Sequence, residues 1–206
     1  MNWFYLRKEK IIDFTIFAAC IFLAAYLRWG LRNYVNSDTV FFSDKYEFIK
    51  HHGGFSALKF NLEFYQPLYY YFLAFMTYIP IQKFHVIKLI PTVFDFFLAY
   101  FGYKIVEIKY GKTIVSFVAF FVLLLTPTVF MTSTLWGQFD SIYTAFLLAS
   151  TYFLLKIKYL WMFIMFGLSI SIKPLGFFFR AMDFIWPTIA MFVMSVILVR
   201  EVILSK

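Results

Sequence analysis

A short polar segment near the middle of the chain, Trp136-Gly137-Gln138-Phe139-Asp140-Ser141, carries residue types that could contact a ligand. It separates two long apolar segments, where a plain connection between membrane helices would hold Gly, Asn, Ser or a few basic residues. An aromatic ring, an amide and a carboxylate side by side are not required by lipid packing or by turn formation. We therefore expect a binding or catalytic site at a membrane surface around this segment.

The composition indicates an integral membrane protein. Of 206 residues, 63% are hydrophobic and 15% charged, and the mean hydropathy is +0.77, values outside the usual range of a soluble domain. The net charge of +8 comes from Lys and Arg at the ends of apolar segments. This placement favours anchoring at a membrane face over nucleic-acid binding. Cys20 is the chain's single cysteine, so an internal disulfide and a cysteine-based zinc site are excluded.

The apolar segments predict an all-α fold, a polytopic bundle of transmembrane helices forming a single membrane domain over residues 1–206. We expect about six crossings, at 11–29, 89–103, 114–135, 141–155, 159–172 and 184–199. A signal peptide is the alternative for the first segment, but that segment is long and lacks a small-x-small cleavage site. The fold prediction also includes one re-entrant or interfacial helix.

The apolar run 67–81 decides the predicted topology. If it crossed the membrane, the basic loops at 104–113 and 156–158 would lie outside, against the tendency of short basic loops to stay cytoplasmic. We therefore predict that 67–81 is re-entrant or interfacial. The N-terminus is then cytoplasmic, and residues 30–88 form one long extracytoplasmic loop on the same side as the polar segment.

Within this loop, the spacing of apolar residues over 37–50 predicts an amphipathic helix along the membrane surface. The glycines of His51-His52-Gly53-Gly54 predict its end. The two adjacent histidines would point apart on a helix, so they make a poor metal pair. No residue spacing in the chain predicts a metal site.

The polar segment, extended to Tyr143, resembles part of the signature of the polytopic C-type glycosyltransferases. The same signature includes Pro127-Thr128 before the segment and Ser171-Ile172-Lys173-Pro174 after it. The closest likeness is to bacterial relatives of the second mannosyltransferase of GPI-anchor assembly. Ser37-Asp38, Tyr65-Gln66-Pro67-Leu68-Tyr69 and Phe94-Asp95-Phe96 agree with the family in the same order. The resemblance covers the chain from about Asp13 to Phe178.

The resemblance implies a transferase that moves a sugar, mannose or another hexose, from a polyprenyl-phosphate donor to a glycan or glycolipid acceptor. The reaction would take place on the extracytoplasmic face of the cell membrane. It implies no cofactor and no divalent metal, and its partners are membrane lipids rather than nucleic acid.

The resemblance also implies roles for individual residues. Asp38 matches the carboxylate that serves as catalytic base in the first external loop, with Asp44 as the substitute candidate. Gln138 and Asp140 would orient hydroxyl groups, and Trp136 would stack on a sugar. Two lysines are candidates for the cation that binds the lipid phosphate, and these are Lys88 and Lys173.

Each of these residues also has an ordinary structural interpretation. Asp38 alone would be a solvated residue or a helix cap, and Trp136 an interfacial anchor. Lys88 and Lys173 could extend to the membrane surface as anchors. Asp95 lies inside an apolar segment, where an unpaired charge is costly, so we expect it to be paired or protonated and structural.

Two alternatives to the transferase stay open from the sequence: a fragment or accessory subunit, and a small transporter or flippase. Members of the family are usually longer, so the resemblance implies a chain that lacks their C-terminal part. The chain could then be a fragment, or a non-catalytic accessory subunit that works with a partner. A small transporter or lipid flippase is the third possibility, but transport predicts discontinuous helices in two related halves, and no such halves are evident.

Overall fold

The computed structural model describes residues 2–60, 62 and 67–172, with 2–14 as backbone alone. Lys173 and the predicted crossing 184–199 lie outside these residues. Within them all regular structure is helical, in agreement with the predicted all-α class. The helices are α1 Asn2–Leu31, α2 Ser37–His51, a 3-10 helix Gly54–Lys59, α3 Pro67–Met76, α4 Lys83–Tyr110, α5 Ile114–Leu125, α6 Pro127–Phe130, a π-helical turn Met131–Leu135, α7 Asp140–Leu155 and α8 Tyr159–Ile172.

By length and composition, one described helix, α4, can cross a membrane. The bent pair formed by α5 and residues Pro127–Leu135 adds a second if its two pieces are one span. The remaining apolar helices, Thr15–Leu31, α7 and α8, are shorter. Fourteen residues of α8 extend only about 21 Å, against a hydrocarbon core of roughly 30 Å. Helix length therefore does not support six crossings in the described part of the chain.

Helix α4 is longer than the predicted crossing 89–103. It begins at Lys83 and ends at Tyr110, where Gly111 adopts a positive φ of 68° and its N–H donates to Glu107 O at 2.9 Å. The side chains of Lys104 and Glu107 form an ion pair along the helix. Such a pair three residues apart supports helix, so residues that were predicted to lie in a cytoplasmic loop belong instead to the last turns of α4.

The predicted crossing 114–135 is bent by 45° between Leu125 and Pro127. The cause is Pro127, because a proline lacks the N–H that a helix needs and disfavours helical backbone in the residue before it. Thr126 accordingly has an extended ψ of 124°. The chain continues as α6 and the π-helical turn, and these lead into the polar segment.

The region predicted as a long loop, 30–88, is mostly helical. Helix α2 ends one residue beyond the predicted 37–50, and Gly53 follows it with a φ of 81°. Helix α3 covers ten residues of the predicted run 67–81. It extends about 15 Å, half the thickness of a hydrocarbon core, so α3 cannot cross a membrane by itself.

An aromatic core joins this region to the polar segment. Phe139 is 5% exposed, and its ring centroid lies 4.4 Å from that of Tyr69 on α3 and 5.7 Å from that of Phe42 on α2. The rings meet edge to face, the arrangement that aromatic pairs prefer. The polar segment is therefore fixed against α2 and α3, and its neighbouring residues are held in a defined position.

Candidate functional site

The polar segment reverses the chain between the π-helical turn and α7. The N–H of Trp136 donates to Met131 O at 3.1 Å, and the N–H of Gln138 donates to Thr132 O at 3.0 Å. Between them Gly137 has a φ of 67°, in the left-handed region that a side chain disfavours. Single π-turns are frequent at functional sites, and here the turn positions both Trp136 and Gln138.

The structure brings together two residues that the sequence analysis predicted to act at one site. Gln138 Nε2 donates to Asp38 Oδ2 at 2.5 Å, across a separation of 100 residues in the chain. Beside this contact, the Thr39 hydroxyl shares its single proton between Asn36 Oδ1, at 2.6 Å, and the Trp136 backbone oxygen, at 3.3 Å. Two hydrogen bonds thus hold the first turn of α2 against the polar segment.

Asp38 does not cap its helix. The cap is Asn36, whose Oδ1 accepts from Thr39 N at 2.9 Å and from Thr39 Oγ1 at 2.6 Å. The carboxylate of Asp38 lies in the first turn of α2. It is partly exposed, so it is accessible to a substrate while one of its oxygens is held by Gln138.

Lys88 packs against the polar segment and is 3% exposed. Its Nζ donates to two backbone oxygens between α1 and α2, Tyr34 O at 2.5 Å and Arg32 O at 3.3 Å. A β-carbon added at Gly137 would lie 3.5 Å from Lys88 Cγ, so the lysine stem packs against the segment. In this structure the ammonium group holds the connection that leads to Asp38, rather than pointing out toward a lipid phosphate.

The other predicted residues lie at different distances from the contact between Asp38 and Gln138. Trp136 is adjacent to it and 41% exposed, and Asp140 begins α7 in a partly buried position. Asp44 is exposed on α2, six residues and therefore about 9 Å along the axis from Asp38. The structure thus does not bring Asp44 to the polar segment.

Three residues that position the site were not identified from the sequence: Asn36, Thr39 and Phe139. The pattern Asn36-Ser37-Asp38-Thr39 does carry a signal, because Asn is a preferred helix cap and its side chain bonds to the N–H three residues later. Phe139 gave no usable signal. A buried and an exposed phenylalanine look alike in a chain that contains 31 of them.

A second polar centre lies in the bundle around Asp95, which is fully buried. Arg28 Nη2 donates to Asp95 Oδ2 at 2.8 Å, and its Nε donates to the same oxygen at 3.2 Å. The hydroxyl groups of Ser133 and Ser141 each donate to the carboxylate at 2.5 Å. Asp95 was expected to be paired or protonated, and in this structure it is paired; its partner, which the sequence did not identify, is Arg28.

The site therefore presents a partly exposed carboxylate oriented by an amide, with an exposed indole ring beside it. A carboxylate in this setting can accept a proton from a bound hydroxyl group. Among the described residues, no three His, Cys, Asp or Glu side chains come close enough together to hold a metal ion.

Comparison with known proteins adds no relative. No family model, no curated protein and no solved structure matches the chain.

Proposed function

We propose that this chain is a membrane glycosyltransferase that moves a hexose, mannose by resemblance, from a polyprenyl-phosphate donor to a glycan or glycolipid acceptor. The observation that supports the proposal most is the hydrogen bond between Gln138 and Asp38. These residues belong to two separate sequence features that resemble the family, and the resemblance implies that both act at the site. A chance resemblance gives no reason for the two to meet.

In the proposed reaction, Asp38 is the catalytic base. The acceptor hydroxyl oxygen attacks the anomeric carbon of the sugar, and its proton passes to the Asp38 carboxylate. The bond between the anomeric carbon and the phosphate oxygen breaks, and the polyprenyl phosphate leaves with the electron pair. Gln138 keeps the carboxylate oriented, Asp140 binds hydroxyl groups, and Trp136 stacks on a sugar face.

The departing phosphate needs a positive charge to offset its own. Lys88 could supply this charge only by giving up its bonds to Tyr34 O and Arg32 O, bonds that also hold the connection to α2. We therefore assign Lys88 first to positioning the site. Lys173 stays the second candidate for the phosphate, although it lies outside the described residues.

We further propose the membrane arrangement expected from the basic residues. The N-terminus is cytoplasmic, the site is extracytoplasmic, α3 is re-entrant or interfacial, and six segments cross the cell membrane. The short helices α7 and α8 would then cross where the bilayer thins locally, a modest cost per ångström of mismatch.

Sugar transfer tests the function directly. Membranes that contain the chain are given radiolabelled polyprenyl-phosphate mannose or glucose, and the label in glycan and glycolipid is counted. We expect Asp38→Asn to lower the transfer rate by about 10²-fold or more, because a positioned base contributes on that scale. The matched control is Glu47→Gln, which removes the same charge from the same helix at a carboxylate paired with Lys83 at 3.3 Å, and it should transfer at the wild-type rate.

The same assay separates the transferase from an accessory subunit. A subunit without catalysis would keep its fold and its effect on a partner after Asp38→Ala. Absence of transfer by the wild-type chain with both donors would contradict the proposal and favour the accessory role.

A further inference from the structure

An apolar groove lies between α1 and α5, away from the candidate site. Its volume is about 880 Å³, within the range of roughly 300 to 1,000 Å³ typical of small-molecule pockets. Along α5 the groove exposes Ile114, Val118 and Val122, which are 69%, 50% and 59% accessible. Their spacing of four residues places them on one face of the helix. A continuous apolar stripe is thus left uncovered by the described residues.

One end of the groove is basic. Lys112, exposed in the turn before α5, lines this end, and Lys109 lies in the last turn of α4. Helices α1 and α5 run in the same direction, since Phe17 contacts Phe117 and Arg28 donates to Leu124 O. The basic positions 7, 8 and 10 of α1 therefore precede the groove at the end where Lys112 lies. Among the described residues that line the groove, none at the opposite end, at Thr126, is charged.

The length of the groove fits a single leaflet. Helix α5 has twelve residues and is about 18 Å long, slightly more than half of a hydrocarbon core of roughly 30 Å. Among the described residues that line the groove, the charge lies at one end, and an apolar channel of this length with that pattern matches a molecule with one anionic head and tails of leaflet length. We propose that the groove binds an anionic phospholipid, with its headgroup at Lys112 and one acyl chain along Ile114, Val118 and Val122.

This site is separate from the proposed sugar transfer and does not depend on it. The chain leaves α5 at the end away from Lys112 and passes through the 45° bend to the polar segment. The basic end of the groove is therefore the end farther from Trp136 and Gln138. In the proposed topology it faces the cytoplasmic leaflet, whose anionic lipids attract basic residues at the surface.

Alkylation of Cys20 can report whether the groove is occupied, because Cys20 lines the groove and is the single cysteine of the sequence. The full chain is purified, freed of lipid in a neutral detergent and treated with N-ethylmaleimide, while phosphatidylglycerol or phosphatidylcholine is added. We expect phosphatidylglycerol to protect Cys20 at about fivefold lower concentration, the difference that one lysine near an anionic headgroup contributes.

Two variants and a control assign the effect to Lys112. Lys112→Ala should lower the preference for phosphatidylglycerol, and Lys112→Arg should keep it because the charge is retained. Lys156→Ala removes an exposed charge from the end of α7 and should leave the preference unchanged.

Four results would overturn the proposal. The first is equal protection by both lipids, and the second is a preference that Lys112→Ala leaves unchanged. The third is resistance of Cys20 to alkylation in the lipid-free protein, which would mean that a protein segment or a second copy covers the groove. The fourth is protection by polyprenyl phosphate but not by phosphatidylglycerol, which would assign the groove to the sugar donor.

Discussion

The contact between Gln138 and Asp38 matters because it fixes a side chain that is otherwise exposed at a helix end. A carboxylate in the first turn of a helix can rotate freely, and misplacement of a catalytic group by about 1 Å can cost about 10²-fold in rate. The amide of Gln138, donating at 2.5 Å, restricts this rotation. Gln138 is itself held by the backbone bond from its N–H to Thr132 O, so the restraint extends into the π-helical turn.

Gln138 is therefore expected to act as a positioning residue. Gln138→Leu should lower the sugar transfer rate by roughly 10- to 10²-fold, because the carboxylate of Asp38 loses the donor that orients it. In this variant the KM for the lipid-linked sugar should change much less than kcat. Gln138→Glu should be at least as damaging, since it places two carboxylates together. Full activity of Gln138→Leu would show that the hydrogen bond has no part in catalysis.

At the scale of elements, the site depends on an interrupted helix. The bend before Pro127 and the π-helical turn lead into the polar segment, whose Trp136 backbone oxygen lies 3.3 Å from Thr39 Oγ1 in the first turn of α2. Gly137 then reverses the chain at a φ of 67°, with Lys88 Cγ 3.5 Å from the place of a β-carbon. The backbone conformation, more than the available space, requires glycine here.

Gly137→Ala is expected to lower the stability of the purified protein. A residue with a β-carbon costs roughly 1 to 3 kcal/mol in this backbone region, and the melting temperature in detergent should fall accordingly. The matched control is Gly167→Ala in α8, where a β-carbon would meet no atom within 4 Å. Its melting temperature should stay level or rise, since Ala favours helix. Equal melting temperatures for both variants would contradict the assigned role of Gly137.

At the scale of the whole molecule, the centre around Asp95 joins elements that the chain keeps far apart. Arg28 on α1 reaches Asp95 on α4 and also donates to Leu124 O at the end of α5, while Ser141 adds α7. The cation is covered by the rings of Phe96 and Phe130 at 5.5 and 5.9 Å. Because the pair is buried and hydrogen-bonded, removing one partner leaves an uncompensated charge.

Arg28→Leu alone is expected to destabilise the protein by about 3 to 5 kcal/mol, the usual cost of an orphaned buried charge. The double variant Arg28→Leu with Asp95→Leu should lose less than Arg28→Leu, because no charge is left unpaired. Lys83→Met, which breaks the exposed pair with Glu47, serves as the surface control and should change stability little. A double variant less stable than both single variants would contradict this account.

The proposed topology can be tested with single cysteines in a Cys20→Ala background. Asp44→Cys, exposed on α2, should react with a membrane-impermeant maleimide in intact cells. Lys109→Cys, at the end of α4, should react only after the cells are opened. Labelling of Lys109→Cys from outside would contradict the proposed topology, because the basic end of α4 would then be extracytoplasmic.

Much of the helical pattern could be predicted from the sequence, since long apolar runs and glycine stops are local signals. Helix α8 was predicted to the residue, and the ends of α2 and α7 to within one residue. The number of membrane crossings was not supported, because helix α8 is shorter than a bilayer core. Asp95 was predicted to be paired or protonated, but its partner Arg28 lies 67 residues away, and such long-range pairing leaves no local mark in the sequence.

The central claim is that Asp38, and not the neighbouring Asp44, is the base of a sugar transfer reaction. The most direct measurement compares Asp38→Asn with Asp44→Asn in the radiolabelled transfer assay, at equal amounts of protein in the membrane. The structure places Asp38 on Gln138 and leaves Asp44 exposed about 9 Å farther along α2. We predict that transfer is lost in Asp38→Asn and retained in Asp44→Asn. Transfer by Asp38→Asn at the wild-type rate would contradict the claim.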